Sequence, residues 1–106
     1  MPRVTIVDAA ELDLLEIHLY VETNDSPARA DALLDGLEGA MASLADMPER
    51  GHFPPELERI GIREYREIHF KPYRILYAIH GDTVVVHCVL DGRRDMQSLL
   101  QHRLLR

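Results

Sequence analysis

The apolar residues change their spacing once along the chain, and this change limits the possible folds more than any other feature. Between Ala30 and Leu44 they recur three and four residues apart, which predicts an amphipathic helix. Between residues 64 and 90 the period becomes alternating, which predicts strands. The intervening Met47–Glu58 segment holds three prolines and one glycine and is predicted to be a loop. Helices grouped before strands favour an α+β fold.

The N-terminal part predicts a short strand followed by a helix. Arg3–Val7 is rich in β-branched residues, and Asp8 with Glu11 has the pattern of a capping box. The helix is predicted to run from about Ala9 to Val21. Its apolar side chains form a stripe one turn apart, made of Leu12, Leu15 and Leu19 and broadened by Ile17 and Tyr20.

The second helix is predicted to begin at Pro27, after a turn formed by Asn24, Asp25 and Ser26. Gly36 and Gly39 lie inside it, where glycine costs about 1 kcal/mol relative to alanine. Either they let the first helix approach closely or they are neutral. The helix presents one apolar side, made of Ala30, Leu33, Leu34, Leu37, Met41 and Leu44.

The C-terminal part predicts three strands joined by two-residue turns at Lys71–Pro72 and Gly81–Asp82. A short helix between Asp95 and Leu105 follows. We therefore predict one domain over residues 1–106, in which an N-terminal strand and a two-helix hairpin pack on one face of a small antiparallel sheet. The predicted strands are Glu64–Phe70, Tyr73–His80 and Thr83–Leu90.

Two-residue turns fix which strand residues face each other. The predicted pairs are Ile79 with Val84, Tyr77 with Val86, Ile75 with Cys88 and Tyr73 with Leu90, and they form an apolar face beneath the helices. The opposite face is predicted to be open and partly polar. Such a face is either a binding concavity or an ordinary solvated surface. It collects Tyr65, Glu67, His69, Arg74 and His87.

Composition excludes several classes of protein. The 106 residues hold one cysteine, Cys88, so an internal disulfide and a cysteine-based zinc site are both ruled out. The longest apolar run is too short for a membrane span, and acidic residues occupy the place of a signal peptide's apolar core. These features predict a soluble, intracellular protein. Residues 1–58 carry a net charge of −10 and residues 59–106 a net charge of +4, which is either a two-faced surface for an anionic partner or simple solvation.

Few motifs point to catalysis. The six glycines never reach the spacing of a phosphate-binding loop, and the six histidines show no helical metal-binding pair, so we predict no cofactor and no metal. Cys88 is predicted to be a core residue rather than a nucleophile. One acid–base combination remains. Glu56, Arg74 and His87 have the chemistry of a base, a phosphate clamp and an acid for phosphodiester cleavage, although residues at such spacing are more often inert than catalytic.

Several segments together resemble the ParE/RelE toxin superfamily. They are Ala9–Ile17 with Tyr20, Pro48–Gly51, Pro72–Tyr77, Val84–Leu90, and Asp91–Met96 with the leucines that follow. The resemblance covers essentially the whole chain in the right order. It implies a RelE/ParE-like fold and a bacterial, cytoplasmic toxin of a type II toxin–antitoxin (plasmid stabilisation) module, neutralised by a small antitoxin such as a ParD-like protein.

The superfamily has two branches, and the resemblance favours one of them. RelE-like members cleave messenger RNA on the ribosome with basic residues, a strand arginine and a late tyrosine, whereas ParE-like members inhibit DNA gyrase. Arg74 matches the strand arginine, Arg94 an arginine before the last helix, and Glu56 a loop glutamate of some nucleases. Tyr65 and Glu67 stand where the nucleases have lysines, and no tyrosine follows Tyr77. Because RNA binding depends on positive charge, this acidic chain fits the ParE-like branch better.

The resemblance also implies partners. A ParE-like toxin would bind DNA gyrase without enzymatic activity, would form a hetero-oligomer with its antitoxin and would not itself read DNA sequence. The antitoxin would cover apolar groups around the sheet edge and the final helix, while Arg93 and Arg94 would pair with its carboxylates. At least one leucine of that helix is expected to pack on the toxin's own core instead. A nuclease and a non-toxic partner in a repressor complex are the alternatives. The candidate contacts with target or antitoxin are Tyr65, His69, Arg74, Arg93, Arg94, Leu99, Leu100 and Leu104.

Overall fold

The computed structural model describes residues 2–105 and confirms the α+β architecture. Four strands form one sheet in the order β1-β4-β3-β2. β1 pairs with β4 in parallel, so the sheet is mixed, while the other two pairings are antiparallel. No helix within residues 2–105 is both long and apolar enough to cross a bilayer. The elements are β1 (Arg3–Ile6), α1 (Asp8–Asn24), α2 (Pro27–Ala42), α3 (Pro55–Glu58), β2 (Arg66–Phe70), β3 (Tyr73–His80), β4 (Thr83–Asp91) and α4 (Met96–Leu104).

Helix α1 differs from its prediction in its start and in the side that it buries. Val7 is the N-cap and Asp8 is the first helical residue, with no side-chain capping bond, so the predicted capping box does not form. Ala10, Asp13 and Leu14 point inward, and the predicted apolar stripe lies on the outside. We call its exposed members the leucine stripe: Leu12, Leu15 and Leu19, which are 54%, 63% and 58% exposed.

Helix α2 follows its prediction closely. Ser26 is the N-cap, and its Oγ accepts a hydrogen bond from the Arg29 N–H at 3.1 Å. Ala30, Leu37 and Met41 are buried, and Leu37 and Met41 share a core with residues of the sheet. The predicted loop that follows contains one short 3₁₀ turn, Pro48–Arg50, and helix α3, because its prolines favour the first position of a helical turn.

The two glycines of α2 have different roles. A Cβ built on Gly36 would lie 2.3 Å from the Phe70 ring, so this glycine lets β2, and not α1, approach the helix. A Cβ on Gly39 would meet nothing within 4 Å.

We therefore expect Gly36→Ala and Gly39→Ala to change stability in opposite directions. Overpacking against Phe70 costs about 1–3 kcal/mol and exceeds the gain in helix propensity of about 1 kcal/mol. Gly39→Ala adds a Cβ that meets no neighbouring atom, so only the gain in helix propensity applies. Urea denaturation of both variants measures the difference, and a Gly36→Ala protein as stable as Gly39→Ala would contradict the assigned contact.

Both predicted turns are confirmed, but one strand pairing shifts halfway. Ile79 faces Val84 and Tyr77 faces Val86, as predicted. A β-bulge at His87 then moves the register, so Ile75 faces Val89 instead of Cys88 and Tyr73 faces Asp91 instead of Leu90. A bulge inserts one residue and therefore exchanges the two faces of the strand beyond it.

The exchange gives the sheet a second apolar face. Cys88 and Leu90 leave the main core beneath α1 and α2 and join a smaller core on the opposite side. There α3 and α4 cover them through Leu57 and Met96, so the face predicted to be open is half covered. Burial raises the pKa of the Cys88 thiol to about 12, which excludes it as a nucleophile at neutral pH.

Asp13 connects α1, on one face of the sheet, with β4 and with α4 on the other face. Its carboxylate accepts the Val89 N–H at 3.0 Å and a bidentate ion pair from Arg103 of α4 at 2.9 Å. β1 pairs with β4 only as far as Ile6 and Val86, so it offers no backbone acceptor to the Val89 N–H. The buried Asp13 carboxylate accepts that hydrogen bond instead. The bond and the ion pair fix α1 and α4 against the same edge of the sheet.

Candidate functional site

Arg74 stands at the centre of the half-covered face, between two carboxylates. Its Nη1 and Nη2 donate to Glu56 of α3 at 2.9 and 2.7 Å, and its Nε donates to Glu67 of β2 at 2.6 Å. The Arg74 side chain is 11% exposed and that of Glu67 only 1%. The hydrogen bonds that Arg74 donates to Glu56 and Glu67 raise the pKa of the guanidinium. Arg74 is therefore a structural cation rather than an open anion clamp.

Glu56 does not have the properties of a general base. The hydrogen bond from Arg74 lowers its pKa below the usual value, so the carboxylate holds a proton poorly. Both of its oxygens are already bonded to the guanidinium. Glu56 and Arg74 do meet, but they neutralise each other instead of facing a substrate.

His87 lies in the bulge, apart from that ion pair. Its ring contacts the ring of Tyr65 edge-to-face, with 5.4 Å between the centroids, and both line an open cleft of about 500 Å³. Burial lowers the pKa of His87, so the ring is neutral at pH 7 and poorly suited to donate a proton. The structure does not assemble Glu56, Arg74 and His87 into one site.

Glu67 was named from the sequence, but the sequence did not indicate its burial or its partners. It was predicted to lie on the open face, yet its carboxylate is buried between Arg74 and two histidines. Its Oε2 lies 2.8 Å from His52 Nε2 and 3.5 Å from His69 Nε2. His52 comes from the loop after α2, and sequence spacing offers no signal that it pairs with β2.

The C-terminal candidates divide into buried and accessible residues. Leu100 was predicted to contact an antitoxin, but it is fully buried in the second core. Leu99 and Leu104 pack partly against that core, and Arg93 forms an exposed bidentate pair with Asp91. Arg94 is exposed beside a shallow cleft that also includes Asp13 and Asp91.

The most exposed apolar surface lies on α1 instead. The leucine stripe runs along the helix, and Tyr20 continues it at 67% exposure. Beside it a groove of about 440 Å³ separates α1 from α2, with Leu14, Leu15 and Leu34 in its lining. Glu11 and Glu38 also line it. Large exposed apolar side chains next to a groove are typical of a protein-binding surface.

Comparison with known proteins agrees with the fold and the resemblance. The family model described as "ParE toxin of type II toxin-antitoxin system, parDE" matches residues 4–96. The chain is 30% identical to Toxin ParE3 of Caulobacter vibrioides over 100 residues, which cover 94% of this chain and 96% of that toxin. Among solved structures it is similar to the chromosomal ParDE toxin–antitoxin system of P. aeruginosa, with a TM-score of 0.71 and 14% identity over 84% of this chain and 94% of the other.

The structural similarity shows the fold, and the two sequence matches show the family. The family model spans most of the chain, including both helices of the hairpin and all four strands except Arg3 of β1. The chain is therefore a member of the ParE family, the toxins of type II toxin–antitoxin systems.

Proposed function

We propose that this ParE-family toxin inhibits DNA gyrase by binding it, without cleaving nucleic acid, and that a cognate antitoxin neutralises it. The observation that carries the proposal is the closed ion-pair network around Arg74. An endonuclease needs a free cation to hold the scissile phosphate and a base beside it. In this chain the strand arginine already bonds two carboxylates, and one of them is the candidate base.

Electrostatics favours a protein target as well. The chain carries a net charge of −6, and proteins that bind RNA gain most of their affinity from neutralising phosphates. Glu67 stands on the strand where the nuclease branch has a lysine. A protein target requires no excess of positive charge, because shape and apolar contacts supply the binding energy.

The antitoxin surface proposed here is the α1–α2 groove together with the leucine stripe. An amphipathic segment of the antitoxin would place its apolar residues over Leu15 and Leu19 and basic residues near Glu11 and Glu38. A second contact with the antitoxin is proposed at and just before α4, where the candidates are Arg93, Arg94, Leu99 and Leu104. Leu100 serves the toxin's own core.

Growth arrest on induction of the toxin tests whether catalysis is involved. The double variant Glu56→Gln/His87→Ala removes the candidate base and acid, while the glutamine still accepts a hydrogen bond from Arg74. We expect its toxicity to equal that of the wild type, since gyrase binding does not use proton transfer. Loss of growth arrest by a soluble, folded double variant would instead support the ribosome-dependent nuclease.

A further inference from the structure

Two histidines and one carboxylate converge next to the ion-pair network. One ring nitrogen of His52, one ring nitrogen of His69 and a carboxylate oxygen of Glu67 all lie within 4.8 Å of one another. The His52 ring meets the His69 ring at 80°, with 5.1 Å between the centroids. Both rings therefore point a nitrogen at the same oxygen, Glu67 Oε2.

We propose that His52, Glu67 and His69 bind a divalent transition-metal ion of the zinc class. Imidazole nitrogens and a carboxylate oxygen are ligands that zinc takes at about 2.0–2.2 Å, usually in a tetrahedral arrangement. Such bond lengths place neighbouring ligand atoms about 3.3 Å apart. The separations of 2.8 and 3.5 Å from Oε2 to the two nitrogens lie on either side of that value.

The backbone holds the three ligands in place before an ion arrives. His52 and Glu67 form an antiparallel bridge with N···O distances of 3.1 and 2.8 Å, so their side chains leave the same face. His69 lies two residues beyond Glu67 on β2 and shares that face. The loop before His52 is fixed by the Tyr77 hydroxyl, which accepts the Gly51 N–H at 3.0 Å and donates to the Pro48 carbonyl at 2.6 Å.

The charges of the surrounding groups suit a cation despite the nearby arginine. Arg74 bonds Glu67 through Oε1 and leaves Oε2 for the metal. Two carboxylates share this one guanidinium, so the Glu56–Glu67–Arg74 network carries a net charge of −1 when the histidines are neutral. Arg74 also orients the ligating carboxylate, as outer hydrogen bonds commonly do in metal sites.

The exposure of the two histidines also suits a metal ion, and each has a tautomer that can bind one. The His52 and His69 side chains are 57% and 43% exposed, so solvent can deliver the ion and supply a water as fourth ligand. Each imidazole must present a lone pair at Nε2, with its proton on Nδ1.

Titration with zinc chloride, followed by calorimetry or by competition with a chromophoric chelator, tests the site. We expect one ion per chain, with at least about tenfold weaker binding for His69→Ala and for His52→Ala. His80→Ala, at the exposed end of β3, is the matched control and should bind zinc like the wild type. Zinc should also raise the melting temperature of the wild type but not of the His52→Ala/His69→Ala variant.

Two results would overturn the proposal. The first is wild-type protein that binds zinc no more tightly than the double variant. The second is tight binding that survives loss of both histidines, which would place the ion elsewhere. Circular dichroism of each variant shows that it is folded, and cobalt substitution gives a separate readout, since a tetrahedral site with these ligands yields visible absorption bands.

Discussion

Replacing Arg74 with alanine is expected to lower the free energy of unfolding by about 3–5 kcal/mol. The substitution leaves the carboxylates of Glu56 and Glu67 without their shared cation, and Glu67 is almost fully buried. Removing one partner of a buried pair is costly because the other charge stays desolvated. Since small domains are stable by only about 5–15 kcal/mol, the loss should appear as a large drop in the urea midpoint.

Two further variants separate this effect from ordinary truncation. Arg93→Ala removes an equally bidentate pair in which the arginine side chain is 74% exposed, and its urea midpoint should match the wild type. Adding Glu67→Gln to Arg74→Ala removes one stranded charge, so the double variant should be more stable than the two single effects predict together. An Arg74→Ala protein that is destabilised no more than Arg93→Ala would show that the network contributes little.

Replacing Leu15 with aspartate is expected to weaken antitoxin binding by at least about 30-fold, or about 2 kcal/mol. Leu15 belongs to the leucine stripe and also lines the α1–α2 groove, so the new charge would lie beneath the proposed antitoxin segment. The side chain is already mostly exposed, and the toxin itself should remain folded. Calorimetry with the purified antitoxin measures the change in affinity, and co-expression should no longer restore growth.

Ile60→Asp is the matched control for this experiment. Ile60 is also an exposed large apolar residue, but it follows α3 and lies outside the groove. It should leave antitoxin affinity unchanged. Equal affinities of the Leu15→Asp and wild-type toxins would move the antitoxin contact away from α1, towards Arg93, Arg94, Leu99 and Leu104.

The sheet shows how far local sequence rules extend. The turns at Lys71–Pro72 and Gly81–Asp82 set the register correctly up to Tyr77 and Val86, because two-residue loops leave little freedom. The bulge at His87 could not be predicted, since Val84–Leu90 contains no glycine or other local sign of an extra residue. Its consequence is large: Cys88 and Leu90 change faces and create the surface on which α4 packs.

Helix α1 illustrates a different limit. Both the leucine stripe and the series Ala10, Leu14 and Ile17 fit the spacing of one helical face. The helix buries the second series, since small Ala10 permits close packing and Asp13 can then accept the Val89 N–H. That hydrogen bond joins residues 76 positions apart, and only the folded chain shows it.

The sequence indicated which polar residues share the sheet face of the candidate site, but not that they form ion pairs with one another. The polar residues do collect on one sheet face, as the alternation of β2 and β3 requires. Their pairing depends on α3, which carries Glu56 to Arg74, and on the loop that carries His52 to Glu67. Ion pairs between distant segments leave no periodic trace in a sequence.

The most direct test of the central claim is a supercoiling assay with purified gyrase and the purified toxin. We expect the toxin to block supercoiling at stoichiometric concentrations, antitoxin to relieve the block, and translated messenger RNA to stay intact in a parallel ribosome reaction. Normal supercoiling together with cleaved messenger RNA would contradict the account, because the strand arginine would then have to leave both of its carboxylates to hold a phosphate.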